Sequence, residues 1–185
     1  MENKKVSLIV VAGLLCAVGL VIPMVMPKVV LGPMSFTLAS HVPIFLAMFI
    51  SPSVALAVCL GTTLGFFMTT PLIIAMRAAS HIVFALVGAI VIRKNPQIIE
   101  KPVSTTIFNF FLALLHAAAE VVVVTPFFFT DYMFKPEQLA AGYVTSVLFL
   151  VGGGTFIHSL IDYSIALFIW KPLVLALPAL KRFRS

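Results

Sequence analysis

The chain has 185 residues, 62% of them hydrophobic and 10% charged, with a formal net charge of +6 and a mean hydropathy of +1.18. A soluble domain of this length saturates its core well below that apolar content, so a soluble enzyme or binding module is excluded and the bilayer must act as solvent. The positive balance does not imply nucleic acid, because the cations fall between or beyond the apolar runs, as the positive-inside rule requires.

A spanning helix needs about twenty apolar residues. Six are expected, at 6–26, 37–50, 53–69, 72–92, 105–129 and 140–170, giving an all-α, multi-pass membrane protein with a single domain over 1–185. The first run follows Lys4 and Lys5. It reads as a span and not as a signal peptide, since no small-residue cleavage site precedes a soluble mature domain. Ala12, Gly13, Cys16 and Ala17 give it overlapping small-xxx-small patterns that allow close helix approach. Cys16 and Cys59 lack CxxC spacing and read as packing residues. The segment PKVVLGPMS at 27–35 is too rich in Pro and Gly for a minimal turn.

The second and third spans part at Ser51-Pro52-Ser53, where Pro52 disfavours helix at the residue before it. Gly61 and Gly65 form a GxxxG in the third span, read as packing within the monomer. Thr69-Thr70-Pro71 repeats the break before the fourth. Arg93, Lys94 and Lys101 occupy the next loop, and Asp131, Tyr132, Lys135 and Glu137 the one after the fifth span. Gly152, Gly153 and Gly154 precede His158 and are expected to loosen that helix or admit a ligand close to backbone. Lys181, Arg182 and Arg184 end the chain. With Lys4 and Lys5 inside, all three basic clusters fall on one side, so both termini are expected inside and the longer loops outside.

Three i,i+4 pairs lie within the spans: Arg77/His81, His116/Glu120 in HAAAE, and His158/Asp162 in HSLID. That spacing puts each pair on one helix face. An ionised residue at mid-membrane costs roughly 2.5–3.5 kcal/mol on insertion scales. At 1.5 Å per residue, His81, His116 and His158 share a central level, with Arg77 and Glu120 further out and Asp162 further in. His41 is placed to join from above. A purely structural role would have Arg77 neutralise Glu120 and each histidine bond a neighbouring carbonyl. Interhelical polar contacts return only about 0.6 kcal/mol each, so a polar pocket opening outward accounts better for the set. Phe36 and Tyr132 are loop-edge aromatics expected to cover a ligand.

No GxxxxGK[ST] phosphate loop, HExxH or GxSxG is present, so neither ATP use by that route nor catalysis is supported. No cofactor and no metal is assigned to this chain.

The segment SFTLASHVPIFLAMFISPSVALAVCLGTTLGFF, followed by RAASHIVFALVGA, resembles the substrate-binding S component of an energy-coupling-factor (ECF) vitamin transporter, as do the six expected helices. The resemblance covers essentially the whole chain. It implies a prokaryotic plasma-membrane protein that binds a vitamin from outside, with the first outer loop as gate. It also implies a membrane coupling protein and two ATPase subunits as partners, with the surface around Ala12, Gly13, Cys16 and Ala17 as part of the docking face. Arg77 suits a carboxylate through two-pronged hydrogen bonding, which leans toward pantothenate, with nicotinate, hydroxymethylpyrimidine and pyridoxine-like rings as alternatives. The rivals are a Ni, Co or Zn transport subunit using the central histidines, an intramembrane acid–base enzyme, and an assembly subunit with polar glue. The metal rival requires three separate helices to converge.

Overall fold

A computed structural model describes residues 2–130, 132–177 and 180, with side chains from Val6 onward. Asp131, Lys181, Arg182, Arg184 and the side chains of Lys4 and Lys5 lie outside the described residues. In chain order come helix α1 (Glu2–Val25), strands β1 (Lys28–Leu31) and β2 (Met34–Thr37), helices α2 (Val42–Ile50), α3 (Pro52–Thr69) and α4 (Leu72–Lys94), a 3₁₀ turn (Pro96–Ile99), α5 (Pro102–Phe129), α6 (Pro136–Ala140), a π-helical segment (Val144–Gly153) and α7 (Gly154–Ala176).

The burial pattern is inverted relative to a soluble protein. Met68, Phe168 and Leu175 are at least 80% exposed, while His116, Glu120, His158 and Asp162 are at most 2% exposed. An apolar exterior around a polar interior is the arrangement that hydrocarbon selects. Among the described residues, five stretches are long and apolar enough to cross a membrane: Val6–Val25, Pro52–Thr69, Leu72–Lys94, Pro102–Phe129 and Val144–Ala176.

The expected second span at 37–50 is shorter than a crossing. Its helix, α2, covers only Val42–Ile50, and all nine residues are buried. At 1.5 Å per residue that is about 13.5 Å, less than half the hydrocarbon thickness. The remainder of the stretch is non-helical, with Ala39 at φ +65°. Backbone of that kind is tolerated at membrane depth only where protein satisfies its polar groups. Here a buried carboxylate does so. Asp162 on α7 accepts the backbone N–H groups of Ala39 and His41, both at 2.8 Å.

The Pro- and Gly-rich segment after α1, which carried no strand in the expectation, forms an antiparallel hairpin pairing Lys28 with Thr37 and Leu31 with Met34. Gly32 supplies φ +58° at the first turn position, as two-residue hairpin turns require. A methyl group at Gly154 would collide with the Met34 side chain, so this glycine admits the hairpin and not a ligand. The remaining glycines of note close the α1–α3 contact. Gly61 faces the Cys16 sulfur and Gly65 faces Leu20, so the GxxxG is used within the chain. Below the polar layer, Phe45, Phe49, Tyr163 and Trp170 pack ring against ring.

Candidate functional site

A chamber of about 500 Å³ lies between α1, α3, α4 and the hairpin. Its walls include Lys28, Phe36, Ser40, His41, Thr62, Arg77, His81, Glu120, Thr155 and His158. Each chemical group reaches it for a local reason. The helical period of α4 aligns Arg77 with His81, and the end of α2 presents His41 where the chain turns into its first helical residue. The hairpin register sets Ser35 and Phe36 above.

Glu120 organises one wall. Its Oε2 accepts from Arg77 Nε at 3.0 Å and from the Thr155 hydroxyl at 2.6 Å, and Arg77 Nη2 stands 2.9 Å away. The other oxygen, Oε1, faces His81 Nε2 at 3.4 Å and His116 Nε2 at 3.5 Å. Arg77 Nη2 also reaches the Ser35 carbonyl at 3.5 Å. Its Nη1 donates to nothing among the described residues, which leaves guanidinium N–H groups for a ligand carboxylate.

His41 is the hub of the histidines. Its ring meets those of His81, His116 and His158 with centroids 4.5, 4.7 and 4.7 Å away. All four histidines of the chain therefore converge, three of them from transmembrane helices. The convergence required by the metal rival is met. Phe36 stacks on His158 at 4.6 Å with 24° between planes, and Ser40 Oγ lies 3.1 Å from His158 Nε2.

Six of the nine residues expected to hold substrate line the chamber: Phe36, His41, Arg77, His81, Glu120 and His158. His116 and Asp162 do not. They stand fully buried behind the wall, His116 against Phe84 at 4.4 Å between centroids and Asp162 fastening the start of α2. Tyr132 is a correction. It is 55% exposed, stacks on Phe127 near the end of α5 and is not among the residues lining the chamber.

The four small residues of α1 also divide. Ala12 is buried and the Cys16 thiol points at the Ala57 and Val58 carbonyls of α3 at 3.7 and 3.8 Å, so both serve internal packing. Gly13 has open space around it and Ala17 is exposed. Lys28, Ser40, Thr62 and Thr155 were missed by sequence reasoning. Thr155, one turn before His158, and Ser40, beside His41, carried a usable spacing signal. Thr62 carried none.

No family model matches the chain, and no solved structure does. The chain is similar to the niacin transporter NiaX of Lactococcus lactis subsp. cremoris, 40% identical over 179 residues, which is 96% of this chain and 79% of that protein. An outward apolar surface, five membrane-length helices and a transporter relative together describe a multi-pass protein of the cell membrane. By this likeness over nearly its whole length, and by the resemblance carried from SFTLASH to RAASH, the chain belongs to the substrate-binding S components of energy-coupling-factor vitamin transporters.

Proposed function

We propose that this chain captures nicotinate from outside the cell and delivers it to an ECF module of a membrane coupling protein and two ATPase subunits. The observation that carries the reading is the pairing of a guanidinium with ring walls in one chamber. Arg77 offers N–H groups to a carboxylate, and Phe36, His41, His81 and His158 present flat faces and ring nitrogens beside it. A planar, monoanionic ring fits that combination. Pantothenate carries the carboxylate but no ring, so the earlier lean toward it gives way to nicotinate, which the niacin-transporting relative also favours.

Charge supports the direction of uptake. Arg93, Lys94 and Lys101 sit at the opposite end of α4 and α5 from the chamber and hairpin. Cations gather on the cytoplasmic side, which supports a chamber that opens to the exterior. The open space over Gly13, beside exposed Ala17, provides a close-approach surface for the coupling protein.

The test is direct. The protein is purified in nanodiscs without added ligand, denatured, and the released small molecules identified by mass spectrometry, alongside equilibrium dialysis with labelled nicotinate and pantothenate. Saturable, one-to-one binding of nicotinate in preference to pantothenate is expected. Preference for pantothenate, or binding of neither, rejects the substrate.

A further inference from the structure

We infer that His41, His81, His116 and Glu120 hold a resident divalent transition-metal ion of the zinc class at the chamber floor. Each residue offers one donor atom, and the four atoms lie within 4.8 Å of one another. The neighbour separations given by the geometry are 3.2 Å from His41 Nε2 to His81 Nε2, 3.4 Å from His81 Nε2 to Glu120 Oε1, and 3.5 Å from His116 Nε2 to the same oxygen. Tetrahedral ligands around zinc at about 2.0–2.1 Å stand about 3.3–3.4 Å apart. These spacings are long for hydrogen bonds to a carboxylate and match shared coordination.

Hydrogen bonding alone does not satisfy the cluster. A ring nitrogen carries either a hydrogen or a lone pair. His81 Nε2 faces both His41 Nε2 and Glu120 Oε1. It can share one hydrogen between His41 and Glu120, or accept from His41 and leave Glu120 without a donor, so it never makes two full hydrogen bonds. His116 is worse placed, since it is completely buried and neither of its nitrogens has a hydrogen-bond partner among the described residues. A buried polar side chain without a partner is costly. One cation at the common centre takes all four lone pairs at once.

The surroundings fit the role. Arg77 and Thr155 hold Glu120 by Oε2 alone, leaving Oε1 turned to the imidazoles. Asp162 Oδ2 stands 3.3 Å from His41 Nδ1, the carboxylate-behind-imidazole arrangement common at metal sites. The second donor group, His41 with His158 and Asp162, is a poorer candidate because both Asp162 oxygens already accept backbone N–H groups. The three rings of the first group are mutually near-perpendicular, at 84–89°, so they approach a common point without stacking.

The ion also answers a charge problem that arises on the nicotinate reading. Arg77 offsets Glu120, and Asp162 adds a further buried carboxylate. A carboxylate ligand would add a second negative charge where water is scarce. A divalent ion offsets those charges.

The probe is Co²⁺, followed by Zn²⁺, on the whole chain in nanodiscs after chelator treatment. One equivalent of Co²⁺ is expected to give the intense visible bands of tetrahedral cobalt, displaced by Zn²⁺. X-ray absorption of the zinc-loaded wild-type chain is expected to show three imidazoles and one oxygen, which needs no variant to fold. His116→Gln abolishes the bands and His158→Gln retains them. Removing the ion lowers nicotinate affinity at least about tenfold. Absence of tetrahedral bands, a shell without three imidazoles, or loss of the bands in His158→Gln with retention in His116→Gln overturns the assignment. A metal that competes with nicotinate is cargo and not resident, and also overturns it. The two readings fail separately: tetrahedral cobalt without nicotinate binding removes the substrate alone, and nicotinate binding without it removes the metal alone.

Discussion

Arg77 and Glu120 lie close enough to be an inert ion pair, and the pair is indeed made, with Arg77 Nη2 2.9 Å from Glu120 Oε2. What separates a structural pair from a binding group is the guanidinium edge left over. Arg77→Met should abolish nicotinate binding, but it also leaves Glu120 buried without its counter-charge, a loss of about 3–5 kcal/mol in stability. In chelator-treated protein, Arg77→Met combined with Glu120→Gln should recover most of the melting temperature in detergent, because neither charge is then left without its partner. Wild-type affinity in either variant would make Arg77 purely structural. Asp162 gives the complementary case. It touches no chamber surface, yet Asp162→Ala strips two buried backbone N–H groups of their acceptor, each loss costing about 1–3 kcal/mol. Thermal unfolding should show a large drop. Asp162→Asn, which keeps one acceptor oxygen, should fall between the two.

Among the elements, the hairpin and α1 carry the functional geometry. The tightest approach seating the hairpin is Met34 over Gly154, beside the Phe36 stack on His158 and Arg77 on the Ser35 carbonyl. Gly154→Val should push it off the chamber at a cost of about 1–3 kcal/mol from overpacking, raising the nicotinate dissociation rate measured by stopped-flow or filter binding. Met34→Ala in the same chain should restore the rate, because the collision is between those two side chains. Failure of the rescue would mean that the hairpin is held elsewhere. On α1 the small residues divide into buried Ala12 and half-buried Cys16, packed within the chain, and open Gly13 and exposed Ala17. Gly13→Trp should leave nicotinate binding and monodispersity intact and impair uptake into cells that express the coupling module. Gly61→Leu, aimed at Cys16 from the α3 side, should instead destabilise the chain. Normal uptake by Gly13→Trp would remove that face from docking. The half-length α2 was hard to read in sequence because only Thr37, Ser40 and His41 interrupt the apolar run from 37 to 50. Only the location of Asp162 allows the chain to stay non-helical as far as His41.

At the scale of the molecule, the protein is an inverted bundle whose long helices meet lipid with apolar faces and turn Arg77, Glu120 and Asp162 inward. The orientation of that bundle is the main prediction here. In a chain carrying Cys16→Ala and Cys59→Ala, Val30→Cys on the exposed strand β1 should react with a membrane-impermeant thiol reagent in intact cells. Lys94→Cys, at the far end of α4, should react only after permeabilisation. The reverse pattern would place the chamber inside and reject uptake from the exterior.

Several features follow from the amino-acid order alone. Membrane embedding is set by apolar content, most helix ends by proline and its effect on the preceding residue, and the pairs Arg77/His81, His116/Glu120 and His158/Asp162 by the helical repeat. A repeat fixes which side chains share a face of one helix. It does not fix how that helix is rotated against its neighbours. That rotation is decided by packing at contacts such as Gly61 on Cys16 and Gly65 on Leu20, and together with the non-helical turn before α2 it brings His41 among the other histidines and Asp162 to the backbone of Ala39 and His41.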